Sequence, residues 1–133
     1  MKQIKAIGSQ EFKDMFSAAT SWLEKSSEDI NSLNVYPVPD GDTGTNMLLT
    51  MRSGIEEALQ ASGTDVSQAA QAMAKGTLMG ARGNSGVILS QIFSGIAQAL
   101  AGKKTANGKL VAQALQDASD KAYKGLSNPV EGT

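Results

Sequence analysis

The residues best suited to chemistry lie in Asn34-Val-Tyr-Pro-Val-Pro-Asp40-Gly-Asp42-Thr-Gly-Thr-Asn46-Met47, where two carboxylates stand one residue apart. Pro37 and Pro39 remove backbone donors and bias the residues before them towards extended geometry, while Gly41 and Gly44 permit tight turning. The run reads as a rigid loop that is not helical. In an extended segment the side chains at i and i+2 leave on one side, so Asp40 and Asp42 are expected to converge. Two like charges held together need a cation. Mg²⁺ suits the donors present, because it takes oxygen ligands, keeps several waters, and binds through one or two carboxylates plus substrate phosphates. Asn34, Thr43, Thr45 and Asn46 add oxygen atoms nearby. The plain alternative for Asp-Gly-Asp is a surface turn. The flanking prolines and the density of oxygen donors favour the metal.

A second segment, Gly80-Ala81-Arg82-Gly83-Asn84-Ser85-Gly86, carries three glycines at a spacing of three. It leads into an apolar periodic stretch, so a helix is expected to begin near Asn84 or Ser85. Free N–H groups at a helix start, with the positive end of the helix dipole, attract phosphate. Arg82 can add a charge-assisted contact to the same anion. The competing reading is a turn whose glycines only let helices pack closely. Taken together, a metal-capable loop and an anion-capable turn point to a metal–nucleotide or other metal–phosphate ligand. Phosphoryl transfer needs mainly positioning and charge neutralisation.

The elements that must position these segments are helical. From Ser9 to Ser26 the residues Phe12, Met15, Phe16, Ala19, Trp22 and Leu23 recur at spacings of three and four, with Ser9 expected as N-cap. Met47, Leu48, Met51, Ile55, Ala58 and Leu59 define a second helix ending near Gly63. Asp65 caps a third with Val66, Ala69, Ala70, Met73, Thr77 and Leu78 as its buried stripe, and its small residues imply close packing. A fourth carries Val87, Ile88, Ile92, Ile96 and Leu100. The fifth runs from about Gly108 to Leu126 with Leu110, Val111, Ala114, Leu115, Ala118, Ala122 and Tyr123. No alternating strand pattern is visible. The expected fold is an all-α, up-and-down antiparallel helix bundle.

The composition limits the chemistry. The 133 residues contain neither cysteine nor histidine, which excludes a disulfide framework, a Cys/His zinc site, a thiol nucleophile and a histidine acid–base step from this chain. A net charge of -1 leaves no basic footprint for a nucleic-acid partner. No apolar run reaches the roughly 20 residues that span a bilayer, and the start lacks the apolar core of a signal peptide, so a cytoplasmic location is expected.

Familiar phosphate and metal motifs do not fit. A Walker loop ends in Gly-Lys-Ser/Thr, and the dinucleotide fingerprint requires G-x-G-x-x-G where this chain has G-x-x-G-x-x-G. An EF-hand starting at Asp40 would place Gly44, Thr45 and Met51 where an acidic or amide residue, a glycine and a glutamate belong. The Asp-x-Asp pattern of haloacid-dehalogenase phosphatases also fails, with Gly44 at its fifth position and prolines upstream.

Leu33–Met47, Met79-Gly-Ala-Arg-Gly-Asn-Ser-Gly-Val-Ile-Leu-Ser-Gln91 and Asn128-Pro-Val-Glu-Gly-Thr133 closely resemble the nucleotide-binding domain of the dihydroxyacetone-kinase L type. The nearest branch is the amino-terminal domain of the bacterial fatty-acid kinase large subunit. The resemblance implies an up-and-down barrel of about eight helices, with ATP held at one end through magnesium. Asp40 and Asp42 match the family's paired magnesium ligands. Asn34 stands where the dihydroxyacetone branch carries a third aspartate and is a candidate third metal ligand through its amide oxygen; Thr43 stands where that branch carries a histidine. Thr45 and Asn46 lie beside the metal motif, and Gly80, Ala81, Arg82, Gly83, Asn84, Ser85 and Gly86 match a phosphate-contacting turn. In the fatty-acid branch a separate acyl-binding protein presents the substrate, and the product is an acyl phosphate. No residue here is identified as meeting the acceptor.

Five helices against about eight imply that residues 1–133 form part of one kinase domain. Such a part is expected to lack transfer activity by itself and to self-associate through its uncovered apolar side.

Overall fold

A computed structural model describes residues 3–36 and 38–126. The third resembling segment, Asn128–Thr133, lies outside the described residues, as does Pro37. The elements run β1 (Ala6–Ile7), α1 (Ser9–Leu33), α2 (Thr43–Gln60), α3 (Val66–Met79), α4 (Gly83–Ala99), β2 (Ala106–Asn107) and α5 (Gly108–Lys124). The expected all-α bundle is what forms. One departure is the antiparallel pair β1–β2, in which Ala6 faces Asn107 and Ile7 faces Ala106. Two residues per strand are too few to show alternation in the sequence.

Consecutive helices pack side by side, α1 on α2, α2 on α3, α3 on α4 and α4 on α5, and α2 also reaches α4. The core is the seam between them, with Phe12, Met51, Val66, Met73, Phe93, Ile96 and Leu100 buried. The Phe16 ring lies 4.7 Å from that of Phe12 and 5.0 Å from that of Phe93, edge-on to the latter. Close packing of α3 is confirmed at Gly76, where an added Cβ would stand 2.5 Å from the Ser53 carbonyl oxygen of α2.

Several boundaries differ from those expected. Helix α1 continues to Leu33, beyond the apolar repeat, because its last turns are anchored by hydrogen bonds to the start of α2. Its N-cap is Gly8, one residue before Ser9. The Glu11 carboxylate accepts from the Gly8 N–H at 3.2 Å, and the Ser9 N–H donates to the Thr64 carbonyl at 3.2 Å. Helix α2 begins at Thr43, so Thr43–Met47 are helical and not part of the loop. Helix α4 begins at Gly83, one residue earlier than expected. Of the expected apolar stripes, Met15, Trp22, Leu59, Leu78, Val87, Leu115 and Tyr123 are exposed. Periodicity marks a stripe but not how much of it a neighbour covers.

The two ends of the bundle differ. At one end lie β1–β2, the end of α2 and the start of α3. There the buried Lys13 of α1 donates to the carbonyl of Ala61, the C-cap of α2, at 2.9 Å. A cation on the last carbonyls of a helix meets the negative end of its dipole. Lys13→Met keeps the apolar stem and removes that bond. It is expected to cost about 1–2 kcal/mol in urea unfolding, with no change in ligand binding at the opposite end.

Candidate functional site

The other end of the bundle gathers the end of α1, the start of α2, the end of α3 and the start of α4. Both sequence segments singled out for chemistry meet there. Asn34, the C-cap of α1, points its Oδ1 at the start of α2 and accepts from the N–H groups of Asp42 at 3.0 Å and Thr43 at 3.2 Å. One turn earlier, Asn31 accepts from the Thr45 N–H at 3.1 Å and donates to the Thr45 hydroxyl at 3.0 Å. These bonds tie the acidic loop to α1.

The loop is a turn and not a strand. Gly41 has φ +63°, and Asp42 has φ -128° and ψ 2°. The extended alternation expected to bring the carboxylates together is therefore not the geometry adopted. Their placement follows from the left-handed glycine between them. Both aspartates are exposed, and neither carboxylate has a hydrogen-bond or ion-pair partner among the described residues. Asp42 is the N-cap residue of α2, yet its side chain makes no capping bond.

The second segment lies directly against α2. Gly83 has φ +65°, and a Cβ there would stand 2.5 Å from Asn46 Nδ2. Added carbons at Gly80 and Gly86 would collide with the hydroxyls of Ser53 and Thr50. The Arg82 N–H donates to Thr50 Oγ1 at 3.1 Å, and Thr50 donates in turn to the Asn46 carbonyl at 2.8 Å. Positions 46, 50 and 53 share one face of α2, since residues three and four apart are neighbours on a helix. The three glycines thus face α2. Their Cβ-free sides serve packing, and any contact with an anion falls to the backbone amides.

Those amides are open. Gly83, Asn84 and Ser85 have no N–H partner among the described residues, and α4 has no capping side chain; the first such bond is Gly86 N–H to the Arg82 carbonyl at 3.1 Å. Each other helix start is served. Thr64 accepts at α1, Asn34 and Asn31 at α2, Lys104 and Lys103 at α3, and Asn107 at α5. The exposed Arg82 stands at the N-cap of α4.

The donor set can be compared with metal chemistry directly. No group of three or more His, Cys, Asp or Glu occurs among the described residues, so a closed protein cage for zinc or calcium is not on offer. Two unpartnered carboxylates fit an ion that keeps its waters and shares its ligands with phosphate, which is the habit of magnesium.

Sequence reasoning missed Asn31 and Thr50. Asn31 precedes Asn34 by three, placing both on one face of α1. Thr50 is a fully buried hydroxyl within the apolar run of α2. Its spacing from Asn46 and Ser53 was the available signal. The exposed apolar residues Tyr36 and Val38 lie within the first segment, and the exposed Met79 immediately precedes the second.

A model of the DAK2 domain matches residues 37–133. The chain is 47% identical over 130 residues to Protein YloV of Bacillus subtilis, covering 98% of this chain and 24% of that protein. It is 46% identical over 130 residues to an uncharacterised protein of Staphylococcus aureus strain USA300, again covering 98% and 24%. The chain thus spans about a quarter of the length of the curated relatives it matches. It belongs to the DAK2 domain family, a kinase-type nucleotide-binding module of the dihydroxyacetone kinases. No helix among the described residues is long and apolar enough to cross a membrane.

Proposed function

We propose that this chain is the ATP-holding part of a kinase that transfers the γ-phosphoryl group to the carboxylate of a fatty acid carried by an acyl-binding partner protein. The observation that carries the nucleotide site is the seating of Gly83 on Asn46 and of Arg82 on Thr50, which sets the open amides of α4 beside the acidic loop. Asp40 and Asp42 hold magnesium. Magnesium supplies charge neutralisation on the phosphates. The amides of Gly83, Asn84 and Ser85 bind a phosphate at the positive end of α4, and Arg82 adds charge there. Thr45 and Asn46 flank the metal loop. Asn34 belongs to the site through the loop it shapes. The contribution of these groups is positioning and electrostatic stabilisation, which is what phosphoryl transfer demands of a protein.

The fatty-acid acceptor rests on the resemblance of the two long motifs to the fatty-acid kinase branch. A glycerone-type acceptor and a regulatory module that only binds nucleotide are the rival readings. A chimera decides among them, with this chain replacing the matching quarter of the Bacillus subtilis relative and the unaltered relative run beside it. Radiolabel from γ-labelled ATP is expected in a hydroxylamine-sensitive acyl phosphate when carrier-bound fatty acid is supplied. Label in glycerone phosphate would support the first rival. ATP binding without transfer to either acceptor would support the second.

A further inference from the structure

An aspartate at an N-cap ordinarily accepts from the N–H two or three residues on, which satisfies one of the helix's orphan donors. Asp42 is placed for that role and does not perform it. The Thr45 N–H goes to Asn31 Oδ1 at 3.1 Å, and the N–H groups of Asp42 and Thr43 go to Asn34 Oδ1 at 3.0 and 3.2 Å. Helix α2 is therefore capped by side chains of another helix. Gly44 makes this reach feasible: a side chain there would collide with the Ser27 carbonyl, so only glycine lets the first turn of α2 lie on the backbone of α1.

We propose that Asn31, supported by Asn34, is a positioning residue that holds the Thr45 N–H an N-cap aspartate would hold and so leaves the Asp42 carboxylate available for a divalent cation. This rests on the reading of the acidic loop as a magnesium–nucleotide site. The chemistry of the amide favours capping over ligation. The Asn34 Oδ1 has two lone pairs, and two N–H groups already occupy it; the Asn31 Oδ1 holds the Thr45 N–H, and its Nδ2 can only donate. With Asn31 removed, the Thr45 N–H falls within the ordinary capping reach of the Asp42 carboxylate. Turned inward as a cap, it competes with the cation.

The test uses Asn34→Ala and Asn31→Ala in the full chain, read by amide NMR without ligand and by titration calorimetry with Mg-ATP. Asn31→Ala is expected to shift the Thr45 amide resonance and speed its hydrogen exchange before any metal is added. Its Mg-ATP affinity should fall about 10- to 100-fold, the usual effect of losing a group that orients a ligand. Its melting curve should stay close to the parent's, because the Asp42 carboxylate accepts from Thr45 in its place. Asn34→Ala should disturb the Asp42 and Thr43 amides and lower affinity less. On an Asp42→Asn background, Asn31→Ala should cost little further affinity, since the two act through one carboxylate. Unchanged apo amides with lost affinity would make Asn31 a direct ligand and overturn the proposal. Disturbed amides with parental affinity would make it a cap without function, which overturns it as well. A parent chain with no magnesium-dependent ATP binding overturns the underlying reading, and shows itself before any substitution is made.

Discussion

Asp40→Asn and Asp42→Asn are each expected to lower Mg-ATP affinity by more than about 100-fold, beyond the loss typical of groups that merely orient a metal ligand. The size of the effect follows from the donor set. Two carboxylates supply all the negative charge that the loop offers a cation, and no third acidic, histidine or cysteine side chain joins them among the described residues. Removing one charge halves the attraction, and an amide binds Mg²⁺ poorly because the ion prefers hard anionic oxygen. Stability should change by less than about 0.5 kcal/mol, as for exposed substitutions away from packing features. Both side chains are exposed, and the capping of α2 is done by Asn34 and Asn31. Glu56→Gln, on an exposed position later in α2, serves as the control for bulk charge. An Asp42→Asn chain that binds Mg-ATP as the parent does would remove the metal from the account.

The second large effect is expected at Gly83→Val. Its φ of +65° lies where a β-branched residue is strained, at a cost of about 1–3 kcal/mol. A Cβ would also press on Asn46 Nδ2, 2.5 Å away, and the turn must shift to relieve it. That shift moves the open amides of α4 relative to the acidic loop. ATP affinity should fall at least about tenfold even in molecules that remain folded, since preorganised donors displaced by an ångström lose most of their effect. Gly102→Val separates strain from placement. Gly102 has φ +75° with nothing near its added Cβ, and it lies at the other end of the bundle. It should pay the backbone strain and bind ATP normally. Equal binding losses in the two variants would mean that Gly83 matters only for stability.

Much of this arrangement was legible in the residues. Spacings of three and four placed all five helices, because a one-sided seam imposes that period wherever a helix packs on a core. Asp65 was readable as a cap, since its role is local. What escaped depended on contacts between segments distant in the chain. The end of α1 is polar from Ser26 to Asp29, which interrupts the apolar repeat, yet it stays helical because Asn31 and Asn34 bind the start of α2. The same bonds start α2 at Thr43, inside a stretch whose glycines and prolines spoke for loop. Trp22 and Tyr123 carry the right period and remain exposed, because α1 and α5 are the outer members of the row of packed helices.

The candidate site was half legible. Asp40, Asp42 and the glycine turn were identifiable from residue type and spacing, and their neighbourhood is a fact of the fold. The reason for the glycines was not. They looked like a surface for approach to a ligand, whereas their bare sides rest on Ser53, Asn46 and Thr50. Thr50 could be read only once the Arg82 amide was seen to depend on it.

The acidic loop and the start of α4 are expected to act as a single metal–nucleotide site. Manganese, used in place of magnesium, broadens amide resonances near it, and its reach is shorter than α2 is long, since 18 residues rise about 27 Å. With Mn-ATP added to the labelled chain, the amides of Asp40–Asn46 and of Gly83–Ser85 are expected to broaden together. Those of Gln60 and Ala61 at the far end of α2 should stay sharp. Broadening confined to one of the two segments, or centred on the Lys103–Lys109 end of the bundle, would contradict the claim.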